Sequence, residues 1–198
     1  MKISKRIFAL GALAMATTTL GGCGYNTIPT KEEAAKAKWA EVQNQYQRRA
    51  DLVPNLVATV QGAAKQEREV LTAVTEARAS ATRPEFDAST ITDPAKFQEF
   101  QAAQDRLSGA LGRLMMITEN YPQLKSLDGF QTLQSQLEGT ENRISIARRD
   151  YNASVQDYNT TLRTFPSIVW AKTLQSDAKP MQLFQATAGA ERAPEVKF

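Results

Sequence analysis

The sequence contains no histidine and only one cysteine, Cys23, among its 198 residues. Without histidine, a Ser-His-Asp or Cys-His catalytic centre, a histidine general base and a histidine metal site are all excluded. One cysteine allows neither an internal disulfide nor a cysteine-based metal cluster. The residues that interrupt helices are also few, with 10 glycines and 8 prolines. These absences argue against an enzyme or a metal or cofactor protein, and they favour helical structure.

The net charge of +3 comes from the first residues and not from the body of the chain. Lys2, Lys5 and Arg6 lie within residues 1–22, which contain no acidic residue. Outside this segment, 21 of the 24 basic residues remain, against 21 acidic residues. A neutral body lacks the basic surface that nucleic acid requires, so no nucleic-acid partner is expected.

Residues 1–22 have the layout of a secretory signal peptide. A basic start precedes an apolar run at residues 7–20, which is shorter than the roughly 20 residues of a membrane-spanning helix. The sequence LGGC at residues 20–23 resembles a bacterial lipobox, which predicts that Cys23 is lipidated and anchors the chain outside the cytoplasm. The alternative is an uncleaved single-pass signal anchor. Gly24, where inner-membrane lipoproteins often have aspartate, favours the outer membrane in a host that has one.

Apolar residues recur at spacings of three and four through most of the remaining chain, which predicts amphipathic helices. The predicted helices cover residues 31–81, 94 to about 121, about 126–129 to 165, and 167–174, with a turn of helix at 181–186. We therefore predict an all-α fold, an antiparallel up-down-up bundle of three long helices with a short fourth C-terminal helix. The bundle occupies residues 31–186, between an anchor and linker at 23–30 and a tail at 187–198.

The unequal helix lengths predict a stalk. At about 1.5 Å per residue, the second helix covers only about half of a first helix that runs to residue 81. The turn at residues 121–125 is then level with Pro54, which is expected to kink the first helix. Residues 31–50 are predicted to project beyond the bundle toward the membrane.

Polar residues concentrate at two levels of this predicted bundle, one near Pro54 and one nearer the far end. The same counting places Glu67 within about one turn of Glu141 and Arg148. Each cluster is interpreted either as a network of paired charges that fixes the helix register, or as a ligand or partner site. The candidates are Arg48, Arg49, Asp51, Asn55, Glu119, Tyr121 and Lys125 in the first cluster, and Glu67, Arg78, Glu141, Asn142, Arg148, Arg149 and Asn152 in the second.

Five ordered motifs coincide with these clusters and resemble those of the LemA family. They are RRADLVPNLV at residues 48–57, ENYPQLK at 119–125, EGTENRI at 138–144, ARRDYN at 147–152, and YN at 158–159 followed by FP at 165–166. The resemblance covers about residues 25–186 and implies an antiparallel bundle on a membrane anchor, in a family without an assigned activity or catalytic residues. Family members usually carry an N-terminal transmembrane segment, from which the short leader ending in Cys23 departs.

Two functions fit these features. The first is a non-catalytic scaffold or adaptor in the bacterial cell envelope, with another envelope protein as partner. The second is a binder of a small ligand or envelope polymer at the polar cluster near Pro54. An enzyme fits least, because no nucleophile or acid–base pair has a recognisable spacing.

Overall fold

The computed structural model describes residues 25–64, 66–83 and 86–185. Within these ranges the chain is all-α, with six α-helices, a short 3₁₀ helix and no strand, so the predicted fold class is confirmed. None of the described helices combines the length and the apolarity needed to cross a bilayer. The predicted signal peptide, Cys23 and the tail at 187–198 lie outside the described residues. The helices are α1 (Thr27–Ala63), α2 (Arg68–Ala81), the 3₁₀ helix (Ala88–Thr92), α3 (Pro94–Thr118), α4 (Pro122–Lys125), α5 (Asp128–Thr161) and α6 (Ser167–Lys172).

The predicted first helix is broken in two, and this corrects the predicted arrangement. Helix α1 ends at Ala63, just after Gly62, and α2 begins at Arg68. Helix α2 folds back along α1, since Arg78 Nε donates a hydrogen bond to the carbonyl of Ala50 at 2.8 Å. The described chain therefore has four long helices, α1, α2, α3 and α5, whose directions alternate. The up-down-up arrangement of three long helices is not confirmed.

The stalk predicted at residues 31–50 is not present, because α1 packs along α5 from its first turns. Lys31 lies 2.5 Å from Asp157 and Lys38 lies 3.5 Å from Asp150, which shows that the two helices are antiparallel. On the buried face of the same segment, Trp39 is only 2% exposed. The stalk prediction failed because it required an unbroken first helix twice as long as the second.

Several helix ends are where the sequence places them. The Asp93 side chain accepts hydrogen bonds from the backbone N–H groups of Ala95 and Lys96, and it thereby caps α3 at the predicted start. The predicted break before Pro122 separates α3 from α4, and the predicted short C-terminal helix is α6. The helical turn predicted at 181–186 is wrong for its described part, because residues 181–185 form no helix.

The core has two parts that differ in composition. An aromatic core lies toward the start of α1 and includes Trp39, Phe97, Phe100 and Tyr151. In it, the Trp39 and Phe100 rings meet edge-on, with centroids 5.0 Å apart. An aliphatic core lies toward the far end, where leucine and valine predominate. Its members include Val53, Leu56, Val60, Leu71, Val74, Leu107, Leu111, Leu114, Leu124 and Leu137.

Candidate functional site

A buried arginine separates the two cores. Arg49 is only 1% exposed, and its guanidinium donates four hydrogen bonds. The acceptors are Ser108 Oγ at 2.6 Å, Glu141 Oε1 at 2.9 Å, and the backbone and side-chain oxygens of Gln104 at 3.2 and 2.7 Å. The guanidinium also lies over the Tyr46 ring, 5.0 Å from its centroid. We call Arg49, Gln104, Ser108 and Glu141 the Arg49 layer.

The Arg49 layer ties four helices together at one level. Arg49 on α1 reaches α3 and α5, and Gln104 Nε2 donates to the carbonyl of Ala81 at the end of α2, 2.9 Å away. A helix shifted by one turn would leave buried polar groups without partners, which costs about 1–3 kcal/mol for each group. The layer thus has the geometry of a register-fixing network. It leaves little of the Arg49 guanidinium available to an external ligand.

Pro54 is compensated from a neighbouring helix. Because proline has no N–H, it cannot donate the normal helical hydrogen bond to the carbonyl of Ala50. Arg78 of α2 supplies that bond instead. The pair explains how α1 remains helical through Pro54 and why α2 docks at this level.

The remaining predicted residues are dispersed and do not form two clusters. Glu67 accepts a hydrogen bond from the hydroxyl of Tyr121 at 3.0 Å, at the far end of the bundle, whereas Glu141 belongs to the Arg49 layer. The turn of residues 121–125 therefore lies beside the end of α1 and not beside Pro54. The other candidates lie on the surface: Glu119 pairs with Lys125, Asp51 with Gln47 and Arg149 with Asp150, while Arg48, Asn55 and Asn142 are exposed.

The last predicted candidates, Arg148 and Asn152, hold a segment that the sequence did not indicate. Residues 179–185 run extended along α5 in the opposite direction, and we call them the C-terminal segment. The Asn152 side chain makes two hydrogen bonds with the backbone of Phe184. Its Oδ1 accepts from the N–H at 2.9 Å, and its Nδ2 donates to the carbonyl at 3.0 Å. Asn159 brackets Met181 in the same way at 2.9 Å for both bonds.

The spacing of the two asparagines matches the rise of an extended chain. Seven residues of α-helix rise about 10.5 Å, and three residues of extended chain span about 10 Å. Two asparagines seven residues apart on α5 can therefore pair with two residues that are three positions apart on an extended segment alongside. Each asparagine makes two hydrogen bonds to the backbone of its partner residue. These bonds go to the backbone, so the two asparagines recognise an extended conformation more than a particular side chain.

Two tyrosines and an arginine also contact the C-terminal segment. The hydroxyls of Tyr151 and Tyr158 donate to the carbonyls of Gln182 and Lys179. Burial raises the pKa of Tyr158 to about 12, and burial also raises the pKa of Tyr151. The Arg148 guanidinium lies 4.5 Å from the centroid of the Phe184 ring.

The described residues of the C-terminal segment occupy one part of a groove between α3 and α5. The backbones of these two helices lie apart along nearly their whole length. Further along α3 and α5 than Gln185, next to the Arg49 layer, lies a mostly apolar cleft of about 350 Å³ that no described residue of the C-terminal segment fills. It is lined by Ser108, Leu111, Gly112, Met115, Leu137, Glu138 and Glu141. We call it the upper groove.

The floor of the upper groove is open among the described residues, because a side chain added at Gly112 would meet no atom within 4 Å. Larger clefts flank α2, of about 480 and 360 Å³, but neither continues from an extended segment of the chain. A pocket beside Tyr46 and Gln104 holds only about 120 Å³, below the range of roughly 300–1,000 Å³ typical of ligand sites.

The sequence profile of the LemA family matches residues 38–198, which include the Arg49 layer and the C-terminal segment. The chain belongs to the LemA family. Curated relatives are the magnetosome proteins MamQ 1 and MamQ 2 of Paramagnetospirillum magneticum and MamQ of Magnetospirillum gryphiswaldense. Each is 28% identical over 176 residues, covering 81% of this chain. The chain spans only 64% of the length of these relatives.

The LemA motifs acquire structural roles in this fold. The first motif contributes Arg49 and Pro54, the second contributes Tyr121, and the third contributes Glu141. The repeated Tyr-Asn pairs at residues 151–152 and 158–159 hold the C-terminal segment. Neither the family description nor the relatives' names state a reaction, which is consistent with the prediction of a non-catalytic protein.

Proposed function

We propose that this LemA protein is a membrane-anchored, non-catalytic adaptor of the cell envelope, and that its upper groove binds an extended segment of another envelope protein. The anchor is lipidated Cys23, or an uncleaved signal anchor, with the bundle outside the cytoplasm. The single observation that carries the docking role is the groove between α3 and α5, which already holds one extended segment.

The geometry of the groove defines the partner segment. Gln185, the last described residue of the C-terminal segment, lies beside Arg148 of α5, and the upper groove lies further along α5, at Glu141 and Leu137. A chain in the upper groove would therefore continue the line of residues 179–185. Leu111, Met115 and Leu137 form apolar walls for one or two apolar side chains. Glu138, two heptads before Asn152, lies on the same side of α5 and offers a carboxylate. An extended segment with apolar and basic residues fits this chemistry.

The alternative function, a ligand or polymer site near Pro54, has less support. The Arg49 guanidinium is buried and engaged, and the neighbouring 120 Å³ pocket is small. The relatives are named for the magnetosome, a cellular structure, and not for a reaction or a ligand. These observations favour the adaptor.

Crosslinking in living cells tests the groove. A photoreactive residue is placed at Gly112, and a matched one is placed at Gly139, which is also helical, exposed and free of neighbours within 4 Å of an added Cβ. Mass spectrometry should find crosslinks from position 112, and not from 139, to one extended segment of one envelope protein. The same captured proteins at both positions, or none at 112, would contradict the adaptor proposal.

A pair of neighbouring substitutions sharpens this experiment. Met115→Asp places a charge in the apolar wall of the upper groove and should reduce the crosslinking yield at position 112 several-fold, because an unpaired charge is costly to bury. Met116→Asp is the control, because Met116 is 71% exposed and does not line the groove. Equal yields from the two variants would show that capture does not depend on the groove.

A further inference from the structure

One end of the bundle exposes an unusual concentration of apolar side chains. Phe165 is 79% exposed, Leu174 is 69%, Val169 is 47% and Tyr25 is 46%. These four are half of the large hydrophobic side chains that are exposed among the described residues. They lie in the stretch that starts α1 and in the turn and helix after α5, which Lys31 and Asp157 bring together.

This end is a packed surface and not a set of unrelated loops. The Tyr25 ring meets the Trp170 ring edge-on, with centroids 5.8 Å apart. Gln175 Nε2 donates to the carbonyl of Tyr25 at 2.9 Å, which fixes the segment after α6 to the start of α1. The apolar side chains are thus displayed on a defined platform, which we call the aromatic end: Tyr25, Phe165, Val169, Trp170 and Leu174.

Charged side chains of both signs surround the aromatic end. Residues 158–185 contain Arg163, Lys172 and Lys179 against Asp177. The adjoining parts of α1 and α5 add Lys31 against Glu32, Glu33 and Asp157. Exposed tyrosine and phenylalanine beside a half-buried tryptophan, with lysine and arginine nearby, have the composition that favours the boundary between lipid headgroups and acyl chains.

Chain connectivity gives an independent reason to place a membrane here. Cys23 precedes Tyr25 by two residues, so their Cα atoms are at most about 7 Å apart. The apolar run ends at Leu20, five residues before Tyr25, which allows at most about 18 Å. Whether the anchor is a lipidated cysteine or the apolar run itself, it holds this end of the bundle close to the bilayer.

We propose that the aromatic end sits in the membrane surface and that the bundle stands on it. The proposal rests on the membrane anchor of the proposed function, and it replaces the stalk that the sequence predicted. Phe165 and Leu174 enter the acyl boundary, Tyr25 and Trp170 lie at headgroup level, and Arg163 and Lys172 contact anionic headgroups. The far end, with Met116 and Tyr121, then points away from the bilayer.

Tryptophan fluorescence tests this orientation. The full-length protein is reconstituted into vesicles of anionic and zwitterionic phospholipids, with or without phospholipids brominated near the headgroup. Trp39 is 2% exposed inside the aromatic core and should not be quenched, whereas Trp170 should lose most of its emission. Trp170→Phe should therefore abolish the quenching seen in the natural protein.

A second variant reports on the opposite end. Met116→Trp in the Trp170→Phe background places an exposed tryptophan roughly 45 Å along the bundle from Tyr25. It should not be quenched by brominated lipid, although acrylamide in the buffer should quench it.

The outcomes separate the two proposals. Flotation of the vesicles reports the anchor, and protein that fails to float would overturn the anchored adaptor and the seated end together. Protein that floats but is quenched equally with and without Trp170, or at position 116 as strongly as at 170, would overturn the seated end alone. Flotation with quenching confined to Trp170 supports the upright orientation.

Discussion

The hydrogen bond from Arg78 to the Ala50 carbonyl should be required only because residue 54 is proline. Ala50 is 1% exposed, so its carbonyl is buried, and the hydrogen bond from Arg78 is what satisfies it. A buried carbonyl without a partner costs about 1–3 kcal/mol. We therefore expect Arg78→Met, which keeps most of the apolar stem, to lower the free energy of unfolding by that amount.

Pro54→Ala should remove this dependence. An alanine at position 54 has an N–H that donates to the Ala50 carbonyl within α1, so the carbonyl keeps a partner when Arg78 is absent. In this background, Arg78→Met should cost less than about 1 kcal/mol. The double-mutant cycle should then give a coupling energy of about 1–2 kcal/mol between two residues that do not need to touch.

Urea unfolding followed by circular dichroism at 222 nm measures the cycle, on the full-length protein in mild detergent. Equal slopes against urea in the four proteins show that the unfolded states are comparable. Arg68→Met serves as a control on the same helix, because Arg68 is exposed and its loss should change stability by less than about 0.5 kcal/mol. Additive effects of Pro54→Ala and Arg78→Met would refute the compensation.

Four further outcomes are expected. Arg49→Met should lower the free energy of unfolding by about 2–4 kcal/mol in urea titrations, because its four acceptors lose a buried charged donor; a loss below about 0.5 kcal/mol would contradict the register role. Asn159→Leu should speed amide exchange in residues 179–185 at least about tenfold by mass spectrometry, because two backbone groups lose their partner. Burial raises the pKa of Tyr158 to about 12 in the folded protein, so the free energy of unfolding should keep this contribution below pH 10 and lose it as the pH rises from 10 to 12. Tyr158→Phe should reduce that loss, measured as the midpoint of urea unfolding at each pH. Gly112→Ala and the control Gly139→Ala should each raise stability by about 0.5–1 kcal/mol, since neither added methyl meets an atom within 4 Å.

The sequence predicts several helix ends well because these ends have a local cause. Asp93 before Pro94 is a helix start by capping chemistry alone, and Pro122 disfavours helix in the residue before it. The break after Ala63 has no comparable local signal. The apolar period continues through it, because Val60 before the break, Ala64 within it, and Leu71 and Val74 after it are all buried. Only tertiary packing of α2 against α1 decides that the chain reverses there.

The site was harder to predict because it depends on that reversal. Counting along an unbroken first helix placed Glu67 near Glu141, whereas the reversal carries Glu67 to Tyr121 and leaves Glu141 with Arg49. Arg49 was one of the candidates in the cluster near Pro54, for which a network of paired charges was one of two interpretations, and the structure shows it buried and hydrogen-bonded. The residues that hold the C-terminal segment had one signal in the sequence, a Tyr-Asn pair that is repeated after seven residues. This repeat can be interpreted only once the extended segment is known to lie beside α5.

If both proposals hold, the upper groove and the aromatic end together set the height above the bilayer at which a partner binds. Leu137 in the groove precedes Thr161 at the end of α5 by 24 residues, which corresponds to about 36 Å along the helix. If the aromatic end rests on the bilayer, a membrane-bound partner needs about 11 extended residues outside the membrane to reach the groove. Crosslinks from position 112 should therefore map at least that far from any membrane-spanning segment of the partner. Crosslinks much closer to such a segment would show that the groove lies near the bilayer. The bundle would then lie on its side, which would refute the upright orientation but not the groove as the docking surface.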